Sequence, residues 1–195
     1  LQKRGYRVRG TETDPVAAAL ATKRTGAIVY PAPLPPTNAG HFDFVSLLHV
    51  LEHVPDPRQT LNAVRESLKP GGKLLLVLPN ADSLEAAWFG ASWYHLDLPR
   101  HLWGFTPRSL VRLVETCGFA VQNISYTPFL FAPQSLLRSA KTANGVIPGH
   151  PVLRAESGES TWQTRVFTGL LAASDKLGKT FPGEIMELMG TRADD

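Results

Sequence analysis

The chain contains a single cysteine, Cys117, so neither an internal disulfide framework nor a cysteine-built zinc site can form. That usage suits a reducing compartment, and a cytoplasmic location is expected. No run of about 18 apolar residues occurs, so no spanning helix is expected. No block of Lys and Arg reaches five residues and the formal charge is only +3, so no nucleic-acid partner is expected. The opening "LQKRGYRVRG" (1–10) has no apolar h-region and no initiator Met. It is not a signal peptide, and the chain is expected to begin within a longer protein. What is present is core material. The sequence is 43% hydrophobic and 19% charged, with four Trp and nine Phe, which argues against wholesale disorder. Its 195 residues fit one domain, or one domain with an appendage.

One pattern occurs three times. A capping residue and a proline open a segment of helical period, a glycine closes it, and an apolar run follows. Asp14-Pro15 leads "VAAALATKRT", Gly26 and "AIVY"; Asp56-Pro57 leads "RQTLNAVRESLK", Pro70-Gly71-Gly72 and "KLLLVLP"; Thr106-Pro107 leads "RSLVRLVETC", Gly118 and "FAVQNISY". Asp or Thr accepts hydrogen bonds from the first-turn N–H groups. Proline at the first helical position loses nothing, since its N–H would be unpaired anyway. Glycine past the last turn tolerates the left-handed conformation.

The runs at 42–48 and 73–79 are apolar on both faces, as suits a parallel sheet covered by helices on both sides. Strands alternating with helices predict right-handed βαβ units and a doubly wound α/β sheet. The expected order is the end of a helix (1–5), strand 6–11, helix 15–25, strand 27–30, strand 42–48, helix 57–69, strand 73–79, a variable segment 80–105, helix 107–117 and strand 119–126. Beyond these lie a short helix near 132–142, an amphipathic helix over 161–180 and a last strand after Pro182-Gly183.

Sheets of this kind bind ligands beyond the carboxyl ends of their strands. Glu12 follows the first strand directly and can accept both ribose hydroxyls of a nucleoside; Asp14 is better explained as the helix cap. A nucleotide site should carry a glycine-rich loop about 20 residues earlier. Only eleven residues precede Glu12, and no later glycine pair follows a strand in a G-x-G spacing. The loop is therefore either lacking or upstream of Leu1.

"FVSLLHVLEHVPDP" (44–57) poses a separate question. A buried strand ends, and His49, Glu52 and His53 arrive together. Metal ligands, a catalytic base and a hydrogen-bonded rim of the core all fit that pattern.

Four ordered segments, "VRGTETDP", "FDFVSLLHVLEHVPDP", "LKPGGKLLLVLPN" and "WYHLDLPRHLWGFTPRSLVRLVETCGF", resemble a class I S-adenosylmethionine-dependent methyltransferase. The likeness is strongest to the bacterial group that includes ubiquinone-type O-methyltransferases. The resemblance covers about residues 5–126. It implies a Rossmann-like, mostly parallel sheet whose antiparallel last strand is hairpinned to 119–126, and methyl transfer from S-adenosylmethionine. The acceptor would be a small or lipid-like molecule with an oxygen nucleophile. On this reading 1–126 is a methyltransferase core lacking the first strand and glycine-rich loop. Residues 127–183 are a helical insertion and 184–192 the final strand of the same domain. Without the glycine loop, residues 1–195 alone are expected to bind cofactor weakly and not to catalyse.

The resemblance also implies individual roles. Glu12 would hold the ribose with Thr13 beside it. Ala32 and Pro33 would border the adenine, and Leu48 and His49 would lie at the methionine side. His53, His95 and His101 lie where a base could act on an acceptor hydroxyl, a task that suits imidazole. In some relatives the matching E-x-x-E-H region can hold a divalent cation; here His49 replaces the first acid. Because Pro-Asp-Pro marks a turn and not a long helix presenting ligands, no metal is expected. The aromatic stretch 86–105 is read as a lid or a satellite cluster. Arg100 has two readings, an anionic-substrate contact or a surface salt bridge. Two rivals stand beside the enzyme: a methyltransferase-like module binding a peripheral or protein partner through 127–180, and a nicotinamide dehydrogenase.

Overall fold

In the computed structural model, residues 2–33, 40–127, 138–139 and 185–193 are described. A short 3-10 turn, Gln2–Arg4, precedes β1 (Arg9–Thr11), α1 (Pro15–Thr25) and β2 (Ile28–Tyr30). Then come β3 (Phe42–Leu48), α2 (Pro57–Ser67), β4 (Leu68–Pro79), α3 (Leu84–Phe89), α4 (Pro107–Thr116), β5 (Phe119–Thr127) and β6 (Ile185–Arg192).

The three capped helices form where the caps predict. Asp14 accepts from the N–H groups of Val16 and Ala17, Asp56 from that of Gln59, and Thr106 from that of Ser109. Each has proline in its first turn. α2 turns Leu61 and Val64 inward, and α4 turns Leu110 and Val114.

The strands make two sheets. β1 and β2 pair in parallel, with Gly10 opposite Val29. The other sheet runs β3-β4-β6-β5. β3 and β4 are parallel, and β6 is antiparallel to both of its neighbours. The last strand is antiparallel as expected, but it is more than a hairpin arm of β5. It lies between β4 and β5, placing Leu76 opposite Leu188. The core sits on this sheet. Leu51, Leu61, Leu68, Leu74, Leu76, Leu78, Leu110, Met186 and Leu188 are all buried.

Several expectations are corrected. The strand expected over 6–11 begins only at Arg9, leaving Tyr6 exposed. The helix expected over 57–69 stops at Ser67, because β4 starts at once. Gly71 has φ +71°, and a Cβ on Gly72 would sit 2.8 Å from the Lys69 carbonyl oxygen. Glycine is thus required there on both backbone and steric grounds. The turn is absorbed as an irregularity between Phe42 and Phe44 of the β3 register. Nor is β3 covered on both faces, since Phe44 and Leu48 remain about half exposed (47% and 55%). The helices expected over 132–142 and 161–180 lie outside the described residues, apart from a helical pair at 138–139.

Candidate functional site

Two groups of predicted residues gather at strand ends. The first hangs on one carbonyl. The Tyr30 oxygen, at the end of β2, accepts the N–H of Glu12 at 3.0 Å and that of Ala32 at 2.9 Å. The residue after β1 and the turn after β2 are thereby held side by side. Glu12 Oε1 accepts the Asp14 N–H at 3.1 Å and lies 3.4 Å from the Thr13 hydroxyl. The carboxylate is therefore oriented by its own backbone, on a residue that is exposed. Pro33, which follows Ala32 in the chain, is exposed. This arrangement fits a nucleoside diol, which needs an oriented acceptor open on one side.

The second group begins where β3 ends. His49 adopts φ 51°, a left-handed conformation uncommon outside glycine and costly enough to mark a constrained position. Its N–H still bonds to the Val77 carbonyl of β4 at 2.8 Å, and its Nδ1 lies 3.1 Å from Glu52 Oε1. The chain then makes a tight turn, closed by His53 N–H on the Val50 carbonyl at 3.0 Å. Leu51 anchors the turn in the core. Glu52 is 1% exposed, and its Oε2 has no hydrogen-bond partner among the described residues. A buried carboxylate oxygen with no donor is costly and calls for a physical reason.

Residues 95–103 are strapped onto this turn. The Leu102 N–H donates to the Glu52 carbonyl at 2.8 Å, and the Trp103 indole donates to the Val54 carbonyl at 2.9 Å. His53 Nδ1 lies 2.9 Å from the Arg100 carbonyl, and His101 Nδ1 lies 2.6 Å from the His95 carbonyl. A carbonyl only accepts, so both rings carry their proton on Nδ1. In the neutral rings the free lone pair is on Nε2. The His53 and His101 rings lie 4.6 Å apart, and those of His95 and His101 are parallel at 6.5 Å. Burial pushes the His101 pKa below its ordinary value, against the opposing pull of the His95 carbonyl and the Glu52 charge. One ligand atom from each of Glu52, His53 and His101 lies within 4.8 Å of the others.

The structure thus brings His53, His95 and His101 together, and brings Glu12 and Thr13 together with Ala32. Glu12 makes no hydrogen bond to any of the histidines. Leu48, half exposed at the end of β3, precedes His49 directly. Arg100 resolves to an ion pair with Asp97 at 2.6 Å. The aromatic segment divides: Trp93 and Phe105 are buried, whereas Trp88, Leu98, Leu102 and Trp103 are exposed. Glu52 is the residue the sequence reading undervalued. Its signal was there, an acid next to Leu51 in the turn after an apolar strand, but its burial was not.

Comparisons with known proteins place the chain in a family. A family model described as "Methyltransferase domain" matches residues 1–124. The chain is similar to the ubiquinone biosynthesis O-methyltransferase of Idiomarina loihiensis, at 31% identity over 98 residues, 47% of this chain and 40% of the relative. It is 35% identical over 97 residues to the enzyme of that name from Nitrosospira multiformis, covering 45% of this chain and 41% of the relative. The chain therefore matches well under half the length of these curated relatives. Among solved structures, a SAM-dependent methyltransferase of Thermotoga maritima superposes with a TM-score of 0.58 at 19% identity, over 94% of this chain and 72% of the other. At that identity the likeness shows the fold.

Proposed function

The chain belongs to the methyltransferase domain family, and on that premise we propose that it is the core of an S-adenosylmethionine-dependent methyltransferase acting on an oxygen of a small or lipid-like acceptor. The observation that carries this reading is the gathering of His53, His95 and His101 at the carboxyl end of β3, with two of the rings locked in one tautomer.

S-adenosylmethionine supplies a methyl group already activated on a sulfonium. The protein's part is then to hold, align and exclude water. Glu12, oriented by the Asp14 N–H, binds the ribose hydroxyls through its carboxylate. Ala32 and Pro33 border the adenine, and Leu48 and His49 line the methionine side. An acceptor hydroxyl must lose its proton as it attacks. The Nε2 atoms of His53 and His101 are the nitrogens their Nδ1 contacts leave free to take it. Burial holds His101 neutral near neutral pH, the form a base requires. His95 supports the group by offering its carbonyl to His101.

Calorimetric titration of S-adenosylhomocysteine into the full-length protein tests the reading. Glu12→Gln removes a charged acceptor and is expected to weaken binding by about tenfold or more. Unchanged affinity in that variant, or no binding by the unsubstituted protein, overturns the proposal.

A further inference from the structure

We infer that Arg138 and Ser139, the helical pair between β5 and β6, are positioning residues for His101: they pin Tyr94, and the His95 carbonyl next to it then holds the His101 ring in one tautomer. The joint is polar and buried. Ser139 is fully buried; its hydroxyl accepts the Tyr94 N–H at 2.8 Å and donates to Glu85 Oε1 at 3.2 Å. Glu85 lies in the first turn of α3 and is itself buried. A hydroxyl can accept from an amide and donate to a carboxylate at once, which a methyl group cannot. Arg138 adds a second hold on the same residue. Its Nη1 donates to the Tyr94 hydroxyl, and its guanidinium lies 4.7 Å over the Tyr94 ring, a cation–π contact.

From Tyr94 the hold passes one residue along the chain. The His95 ring packs edge-on against the Tyr94 ring at 5.0 Å, and the His95 carbonyl lies 2.6 Å from His101 Nδ1. Two acceptors compete for the single ring proton of neutral His101. The His95 carbonyl is within hydrogen-bond reach of Nδ1, whereas the Asp97 carboxylate lies 3.9 Å from Nε2 and is already paired with Arg100 at 2.6 Å. The nearer acceptor wins, and the lone pair is left on Nε2. A small retreat of the His95 carbonyl reverses the contest, because a carboxylate is the stronger acceptor once the carbonyl is out of reach. The ring proton would then sit on Nε2 and block the atom that must take the proton of the methyl acceptor. Residues 138–139 thereby tie the stretch between β5 and β6 to the state of one imidazole. The positioning stands on these contacts; only the naming of His101 as a base rests on the methyl-transfer reading.

The test is long-range proton–nitrogen NMR of the imidazoles in the isotope-labelled full-length protein at about pH 8, where an ordinary histidine is neutral. In the unsubstituted protein His101 should show the well-separated nitrogen shifts of an Nδ1–H tautomer. Ser139→Ala should draw the two shifts together, moving the tautomer ratio toward Nε2–H by about tenfold, the weight of one hydrogen bond. Arg138→Met, at a partly exposed position, should move them the same way and stands in if the alanine variant fails to fold. His53 is the internal control: its Nδ1 faces the Arg100 carbonyl, outside the joint, so its tautomer should not change. Unchanged His101 shifts in the folded variants overturn the proposal. So does an equal change at His53, which would mean general loosening, and so does an Nε2–H tautomer in the unsubstituted protein. Calorimetric binding of S-adenosylhomocysteine is measured separately, so the methyl-transfer reading and this one can fail independently.

Discussion

Helices α1 and α2 are built from the same local instructions, yet one buries a single residue, Ala18, and the other buries Pro57, Leu61, Val64 and Ser67. Both carry an aspartate cap and a first-turn proline. The difference lies in what each helix meets. α2 packs on the four-stranded sheet that carries the core. α1 stands with β1 and β2, where Val16, Leu20 and Ile28 remain exposed. Capping is therefore a property of a few consecutive residues, whereas stability is a property of the sheet beneath them.

The sharpest way to break that comparison is a pair of truncations. Leu76 is fully buried between Leu47 and Leu188, and Leu76→Ala is expected to cost about 2–5 kcal/mol. Leu20→Ala on α1 should stay within about 0.5 kcal/mol. Urea unfolding monitored by circular dichroism reads both, and equal losses would erase the contrast.

A smaller effect tests the caps. Asp56→Ala should lose about 1 kcal/mol of global stability, because α2 melts only with the core. Asp14→Ala should remove a similar local contribution but show it chiefly as faster hydrogen exchange in α1, with little change in the global midpoint.

The smallest effect concerns charge. The exposed Asp43 carboxyl is held below its ordinary pKa, first by its hydrogen bond to Lys69 at 2.6 Å. Because the folded value is depressed, this contribution is present above the unfolded carboxyl pKa and disappears as pH falls through the folded one. Lys69→Met should move the Asp43 titration, followed by carboxyl NMR, back up toward its ordinary range. The neutral-pH midpoint should barely shift. A large stability change would mean that charge, not burial, separates the two halves.

Much of the fold was legible. The starts of α1, α2 and α4 follow from Asp14, Asp56 and Thr106, whose effects reach only two or three residues. The strand at 42–48 was legible from its apolar run. α3 was hidden in the aromatic segment, although Ser83 caps it by accepting the Ala86 N–H. The place of β6 between β4 and β5 was not legible, because pairing across a long stretch of sequence leaves no local mark.

The site divides the same way. The residue types were readable: a carboxylate after the first strand and histidines around a turn and an aromatic stretch. Their convergence was not. His53 and His101 meet because the Leu102 N–H and the Trp103 indole bond to carbonyls of the turn, and each histidine is oriented by a backbone carbonyl from the strapped segment.

The sequence by itself determined the helix caps, the apolar strands, the doubly wound class and the chemistry on offer at the strand ends. Those depend on neighbours within a turn or on the two-residue period of a strand. Only the tertiary structure decided which helix carries a core, where the last strand inserts, and that Glu52 is sealed from water with one oxygen unpartnered beside two imidazoles. Burial and convergence depend on residues distant in the chain, and no local pattern encodes them.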